Sequence, residues 1–252
     1  MTGDGRYIVT PNSNTEGGSV IDMTVPSMVA PKSGKHPVAA STSNDGKRAF
    51  IANLFSHTIT CYSIEEDACP TPAGDIVKTY DIDLRENYDP VTGANTGPVA
   101  LAPIQLPVSP DDNAMVTVGT VTGNIVVIDP KTNKFVKTLP CAPGCHGGNW
   151  GAKKGGGYYM YVTSKFMNQM LVVNADPNND GDLSDAAIVG GVLTDAQSGT
   201  QMDDTPTGHI GQGGNGLFIY PIAYNGWVQK MPDVEKAKLT CQQREPLLKA
   251  VC

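Results

Sequence analysis

Residues 176–185 read Asp-Pro-Asn-Asn-Asp-Gly-Asp-Leu-Ser-Asp, with oxygen side chains at the first, third and fifth positions and glycine at the sixth. That spacing suits Ca²⁺, which takes several hard oxygen ligands around a sharply turned loop. Asp176, Asn178 and Asp180 are the candidate ligands, and Asp185 is the substitute for the bidentate glutamate, because Ala187 holds the twelfth position. The competing reading is an Asx-turn loop that needs no ion, since Asp, Asn and Gly also favour turns. A second constellation is Cys141-Ala142-Pro143-Gly144-Cys145-His146. Two cysteines followed by histidine fit a short-loop disulfide, a metal-binding thiolate pair, or covalent c-type haem, although haem attachment usually has one residue fewer between its cysteines. Histidine is the third clue: His36, His146 and His209 each precede a proline- or glycine-marked segment. Imidazoles converging from repeated positions would bind copper or zinc, with Asp203 or Asp204 orienting His209. Taken singly, each histidine also reads as an ordinary turn residue, and His57 reads as a surface turn.

The cysteines fall into neighbouring pairs: Cys61 with Cys69, Cys141 with Cys145, and Cys241 with Cys252. Local disulfides in an oxidising, extracytoplasmic compartment account for that pairing; buried reduced thiols are the cytosolic alternative. No export signal is visible at the N-terminus, and no Ser-His-Asp order, phosphate-binding glycine loop or paired catalytic carboxylates stands out. Gly155-Gly156-Gly157 lacks the Lys-Ser/Thr of a P-loop.

The elements that must position these residues follow from composition and repetition. Of 252 residues only 17% are charged, while 28 are Gly and 19 are Pro. Many turns and short strands fit that balance, and an all-α bundle does not. A net charge of -7 repels nucleic acid and anionic membrane surfaces. No run of about 18 apolar residues is present to span a bilayer.

A turn, a β-rich strand, a polar turn and a second β-rich strand recur four times. The copies contain Arg6 to Thr10 with Ser19 to Asp22, Arg48 to Asn53 with Thr58 to Tyr62, Ala114 to Val118 with Asn124 to Asp129, and Tyr158 to Thr163 with Met170 to Val173. The first two turns are about 41 residues apart and the last two about 44, the period of a four-stranded propeller blade. Residues 65–97 are the expected insertion between the second and third copies. Val38 to Thr42 supplies an inner strand, and Ile76 to Tyr80 and Phe135 to Leu139 supply outer ones. A large β-sandwich would share no motif between hairpins, whereas Asp-Gly turns and Ile-Asp strand ends recur here. The expectation is an all-β propeller of four-stranded antiparallel blades over residues 1–230, four clear and a fifth degenerate around Gly216 to Pro221. A tail with a short helix near Val234 to Leu239 follows over 231–252.

Tyr161-Val162-Thr163-Ser164, Ile8-Val9-Thr10-Pro11-Asn12, Ile51-Ala52-Asn53 and the Val20-Ile21-Asp22 and Val127-Ile128-Asp129 ends resemble the YVTN-type (YncE-like) β-propeller repeat. The resemblance covers about residues 1–175. It implies an extracytoplasmic propeller belonging to a ring of seven blades, so four or five copies would leave the ring open, its other blades lying in a longer precursor or a partner chain. The function expected from it is an interaction or assembly module of a larger protein complex; a copper redox protein or oxidoreductase subunit with channel histidines is the alternative.

Overall fold

The computed structural model describes residues 1–2, 5–25, 27–64, 69, 78–89, 91–94, 96–97, 99–141, 144–153, 156–167, 169–193, 214–217, 219 and 233–237. Each repeat forms its own antiparallel sheet. The first contains β1 (Tyr7–Asn12), β2 (Gly17–Asp22) and β3 (Ser27–Val29). The second runs β4 (Pro37–Thr42), β5 (Arg48–Asn53), β6 (Thr58–Ser63) and β7 (Lys78–Asp83). The third has β8 (Met115–Gly119), β9 (Asn124–Asp129) and β10 (Lys134–Pro140). The fourth has β11 (Cys145–Ala152), β12 (Tyr158–Ser164), β13 (Gln169–Asn174) and β14 (Ala187–Leu193). A 3-10 turn, Leu183–Asp185, precedes β14, and a short helix α1 spans Asp233–Lys236. The chain is an all-β propeller, and within each sheet the strands follow one another in sequence order from the inside outwards.

The core lies between blades, which explains why the strands are apolar on both faces. In β5, Ala49 and Ile51 pack with Val9 and Val20 of the first blade, while the alternate residues Phe50 and Ala52 pack with Leu106, Met115 and Val126 of the third. In β8, Met115 faces the second blade; Val116 and Val118 join Trp150, Met160 and Val162 of the fourth. Period-two alternation is therefore hidden in hydropathy and survives as a choice of neighbour.

The turn leading into the second strand of a blade is wired alike in three copies. Ser43 N–H donates to the Arg48 carbonyl (2.9 Å) and Ser43 Oγ accepts from Arg48 N–H (3.0 Å). Ser109 and Ala114 repeat this at 2.7 and 2.9 Å, and Thr2 and Tyr7 at 2.9 and 3.0 Å. The recurring Ile-Asp ends close the next turn, Asp22 accepting from Thr24 N–H (2.8 Å) and Asp129 from Lys131 N–H (2.8 Å).

The outer strand expected at Ile76 to Tyr80 is present as β7, inside the stretch 65–97, and pairs along its length with β6. One expectation needs correction. The third blade has no regular inner strand among the described residues; Pro103 and Val108 touch β8 only through isolated bridges to Gly119 and Met115. Prolines 103 and 107 bracket this segment and remove ladder donors. Of the degenerate fifth copy, 214–217 and 219 are described, without a paired strand; 218, 220 and 221 lie outside the described residues.

Candidate functional site

Strand direction places His36, His57 and His146 at one end of the propeller. His36 immediately precedes β4, His57 closes the β5–β6 turn, and His146 is the second residue of β11. His36 and His57 both adopt left-handed backbone (φ 55 and 59), a region histidine enters more readily than most residues. His57 occupies the turn position that Gly123 holds in the third blade (φ 63), each donating its N–H four residues back, to Asn53 and Gly119.

Hydrogen bonding fixes two of the ring tautomers. The Nδ1 of His57 accepts from Ala102 N–H (3.0 Å), so the neutral ring carries its proton on Nε2. His57 is thus half-buried, tying the second blade to the segment that enters the third, and is no mere surface turn. Burial and the Arg85 charge push its pKa below the usual imidazole range. The Nδ1 of His146 lies 2.6 Å from the Asn215 carbonyl, which can only accept, so Nδ1 donates and the lone pair is left on Nε2. Burial lowers the His146 pKa too; the bond to Asn215 opposes the shift and Lys165 adds to it. The His36 ring stacks on Phe55 at 4.7 Å.

The copper or zinc trio is not assembled among the described residues: no three His, Cys, Asp or Glu side chains there form a metal-ligand group. His209, Asp203 and Asp204 lie outside the described residues. Cys61 bonds Cys69, and Cys141 bonds Cys145, the second bridge sitting at the histidine end of the propeller. Sulfurs bonded to each other offer no thiolate to a metal and no thiol to haem at Cys141, Cys145 and His146. Cys241 and Cys252 lie outside the described residues.

The acidic loop sits at the opposite end. Asp176 accepts from Asp180 N–H (3.1 Å) and Gly181 N–H (3.0 Å), Asp180 from Asp182 N–H (2.9 Å), and Asp182 from Ser184 N–H (2.8 Å). Asp185 takes the Asn178 amide (2.7 Å) and does not join Asp176 and Asp180 in an acidic trio. Lys153, a residue the sequence reading passed over, anchors the loop from below. It is buried, and its ammonium donates to Asn174 Oδ1 (3.3 Å) and the Asp176 carbonyl (3.1 Å). The only hint in the sequence is the pair Lys153-Lys154 before the glycines of a blade turn.

Two cavities complete the picture. One, of about 440 Å³, lies among the innermost segments and is lined by Val9, Pro11, Ala39, Ser41, Gln105 and Asn149, among others, none of them titratable. Such a lining can bind by shape, amides and backbone groups but cannot transfer a proton. The second, about 570 Å³, opens at the histidine end between His57, Asp83, Arg85, Glu86, Tyr88 and Leu101. Arg85 grips Asp83 with two bonds (3.0 and 3.1 Å). Burial raises the Asp83 pKa, and the bonds from Arg85 outweigh it, so the carboxyl stays below its ordinary range. Their charges cancel locally, which leaves His57, Glu86 and Tyr88 as the other ionisable side chains of the lining.

No family model and no curated protein matches the sequence. Solved structures do share its fold. A 6-phosphogluconolactonase-like protein from Bacteroides uniformis is similar at TM-score 0.53 and 16% identity, over 75% of this chain and 55% of that one. A protein from Lactobacillus plantarum is similar at TM-score 0.50 and 13% identity, over 77% and 54%. The chain thus spans about half the length of these structures, and at such identity the likeness concerns fold alone.

Proposed function

We propose that the chain is an extracytoplasmic β-propeller of the YVTN repeat type that serves as an interaction module within a larger protein complex. The observation carrying this reading is an apolar strip on the outer rim of the first blade. Met23, Val25, Met28 and Val29 are 50–61% exposed within seven residues of sequence. A cluster of large apolar side chains left in water is the ordinary mark of a protein contact, and methionine adapts to irregular partners. The two disulfides support an oxidising compartment. No described helix is long and apolar enough to cross a membrane.

The test is cross-linking followed by mass spectrometry in the native cell envelope, comparing the natural chain with Met28→Glu and Val29→Lys. Cross-links at the rim should fall at least about tenfold in the variants, while melting stays within roughly 2 °C because both side chains are exposed. Unchanged cross-linking would remove the strip from the interface. Alkylation without reductant should leave Cys61, Cys69, Cys141 and Cys145 unmodified; labelling of all four would place the chain in a reducing compartment.

A further inference from the structure

The cavity of about 570 Å³ at the histidine end is built around His57. The His57 carbonyl accepts from Leu84 N–H (3.1 Å), which fixes the exit of β7, and its Nδ1 accepts from Ala102 N–H (3.0 Å), which fixes the segment entering the third blade. The Leu84 carbonyl in turn accepts from Ala100 N–H (2.9 Å), so the two walls are tied to each other as well. On one wall Asp83 Oδ1 accepts from the Arg85 backbone N–H (2.9 Å) and from Arg85 Nε (3.0 Å), and Tyr88 N–H closes the next turn on the Arg85 carbonyl (2.7 Å). On the other, Leu101 N–H donates to Thr122 Oγ1 (3.2 Å). Backbone bonds on both sides thus hold the lining in place before a ligand arrives, which lowers the ordering cost of binding.

Chemically the lining is divided. Asp83 occupies Nε and Nη2 of Arg85, so Nη1 still presents its N–H groups; among the described residues neither Nη1, the Glu86 carboxylate nor the Tyr88 hydroxyl has a protein partner. Tyr88 and Leu101 add apolar surface. With His57 neutral, the ionised Asp83, Arg85 and Glu86 leave the lining one net negative charge. A simple anion would meet that excess, and a simple cation would leave the guanidinium N–H groups unanswered. A metal ion finds no lone pair on the neutral His57 ring, whose Nδ1 is taken by Ala102 N–H and whose Nε2 carries the proton. A molecule bearing both charges answers both groups. The volume lies within the range of roughly 300–1,000 Å³ usual for small-molecule sites.

We propose that this cavity binds a zwitterionic amino-carboxylate, a free α-amino acid or a short peptide, with its carboxylate on Arg85, its ammonium on Glu86 and an apolar side chain against Tyr88 and Leu101. Asp83 grips the guanidinium from the Nε edge and so aims the remaining N–H groups, whose planar array suits a carboxylate. Glu86 then sets specificity: it attracts the ammonium and repels a carboxylate that lacks one. None of these residues belongs to the apolar strip of the first blade, so the proposal stands independently of the interaction-module reading.

Calorimetry near neutral pH with the common L-amino acids, each alone, and with leucyl-leucine should find at least one that binds with Kd of about 1 mM or tighter. Tighter binding of leucyl-leucine than of any free amino acid identifies a peptide as the source of the two charges, and the reverse identifies the amino acid. The N-acetylated form of the bound molecule, which lacks the ammonium, and its amide, which lacks the carboxylate, should each bind at least about tenfold more weakly. Arg85→Gln should weaken the parent molecule at least about tenfold, and Glu86→Gln should bring the N-acetylated form level with it. In the unaltered protein the ring nitrogen NMR signals of His57 should shift with the same midpoint, which locates the ligand without any variant. No saturation below about 10 mM by any of these molecules overturns the proposal. Equal binding of the parent, its N-acetylated form and its amide overturns it as well, because the cavity then reads only apolar surface. Binding that leaves the His57 signals unmoved and is not weakened in Arg85→Gln lies elsewhere on the protein and overturns the site.

Discussion

The two tautomer-fixed histidines have a consequence for pH. Their neutral rings are favoured in the folded chain, so below the ordinary value of 6.5 the unfolded chain binds more protons. Stability from these groups is fully present above that value and is lost as pH falls through the lower folded pKa. The melting temperature should decline between pH 7 and 5, and His57→Asn, which tolerates the left-handed backbone, should flatten part of the slope. Asp112 acts in the opposite sense, burial pushing its carboxyl up, so the difference between natural chain and variant is the readout. Identical slopes would mean that His57 titrates as it does in the unfolded chain. Asp22 belongs to a separate window: its bonds from Arg6 and Thr24 hold its carboxyl below the ordinary range, so its contribution disappears only in stronger acid. For the acidic loop, Lys153→Met leaves the Asp176 carbonyl and Asn174 amide without their buried cation and should cost about 2 kcal/mol, or roughly 4–8 °C of melting temperature. Asp176→Ala removes the acceptor for two backbone amides and should cost about 1–2 kcal/mol with or without calcium. A cost that appears only when calcium is present would support the ion-binding expectation for Asp176, Asn178, Asp180 and Asp185.

The strands themselves were the legible part. β5, β8 and β12 coincide with the runs read from hydropathy and lie at the same place in successive blades, because residues packed on both faces write an unbroken apolar string. β7 was read as the run Ile76 to Tyr80 despite the polar company of 65–97, while prolines obscured the inner segment of the third blade. The site was less legible for a different reason. His57 meets Ala102 and His146 meets Asn215 across 45 and 69 residues of sequence, distances at which local spacing carries no signal. The glycine run of β11 was visible, but its reason was not. Gly148 faces the Met160 methyl and the Tyr161 carbonyl, with backbone 2.8 Å from where a Cβ would stand. Gly148→Ala should therefore cost about 1–3 kcal/mol in denaturant melts through overpacking. Gly190 in β14 has nothing within 4 Å of a built Cβ, and Gly190→Ala should be neutral or stabilise by up to about 1 kcal/mol through reduced freedom of the unfolded chain. Equal costs at the two sites would mean that close packing is not why β11 is rich in glycine.

At the scale of the whole molecule, stability is shared between neighbouring blades. Each apolar cluster joins two adjacent blades, and among the described residues the second and third blades take part in two clusters and the first and fourth in one. The second blade is enclosed between the first and third; every residue of β5 and β6 is buried. In the third blade β8 is likewise buried throughout, while in the first blade β3 is exposed along its length. Opening β3 breaks one short ladder and uncovers no core cluster, whereas opening β5 breaks two ladders and parts two clusters. Native-state hydrogen exchange should accordingly rank β5, β6 and β8 slowest, near the free energy of global unfolding, with the outer strands faster and β3 fastest. The second blade also carries the Cys61–Cys69 bridge, anchored beside β6 where Cys69 N–H meets Ser63 Oγ at 2.7 Å. Replacing Cys61 and Cys69 by Ser should therefore speed exchange in β6 more than in β12, since that closed loop lies in the second blade. Uniform exchange across all four sheets, or faster exchange in β5 than in β3, would mean that the blades unfold as one unit and that neighbour packing does not grade their stability.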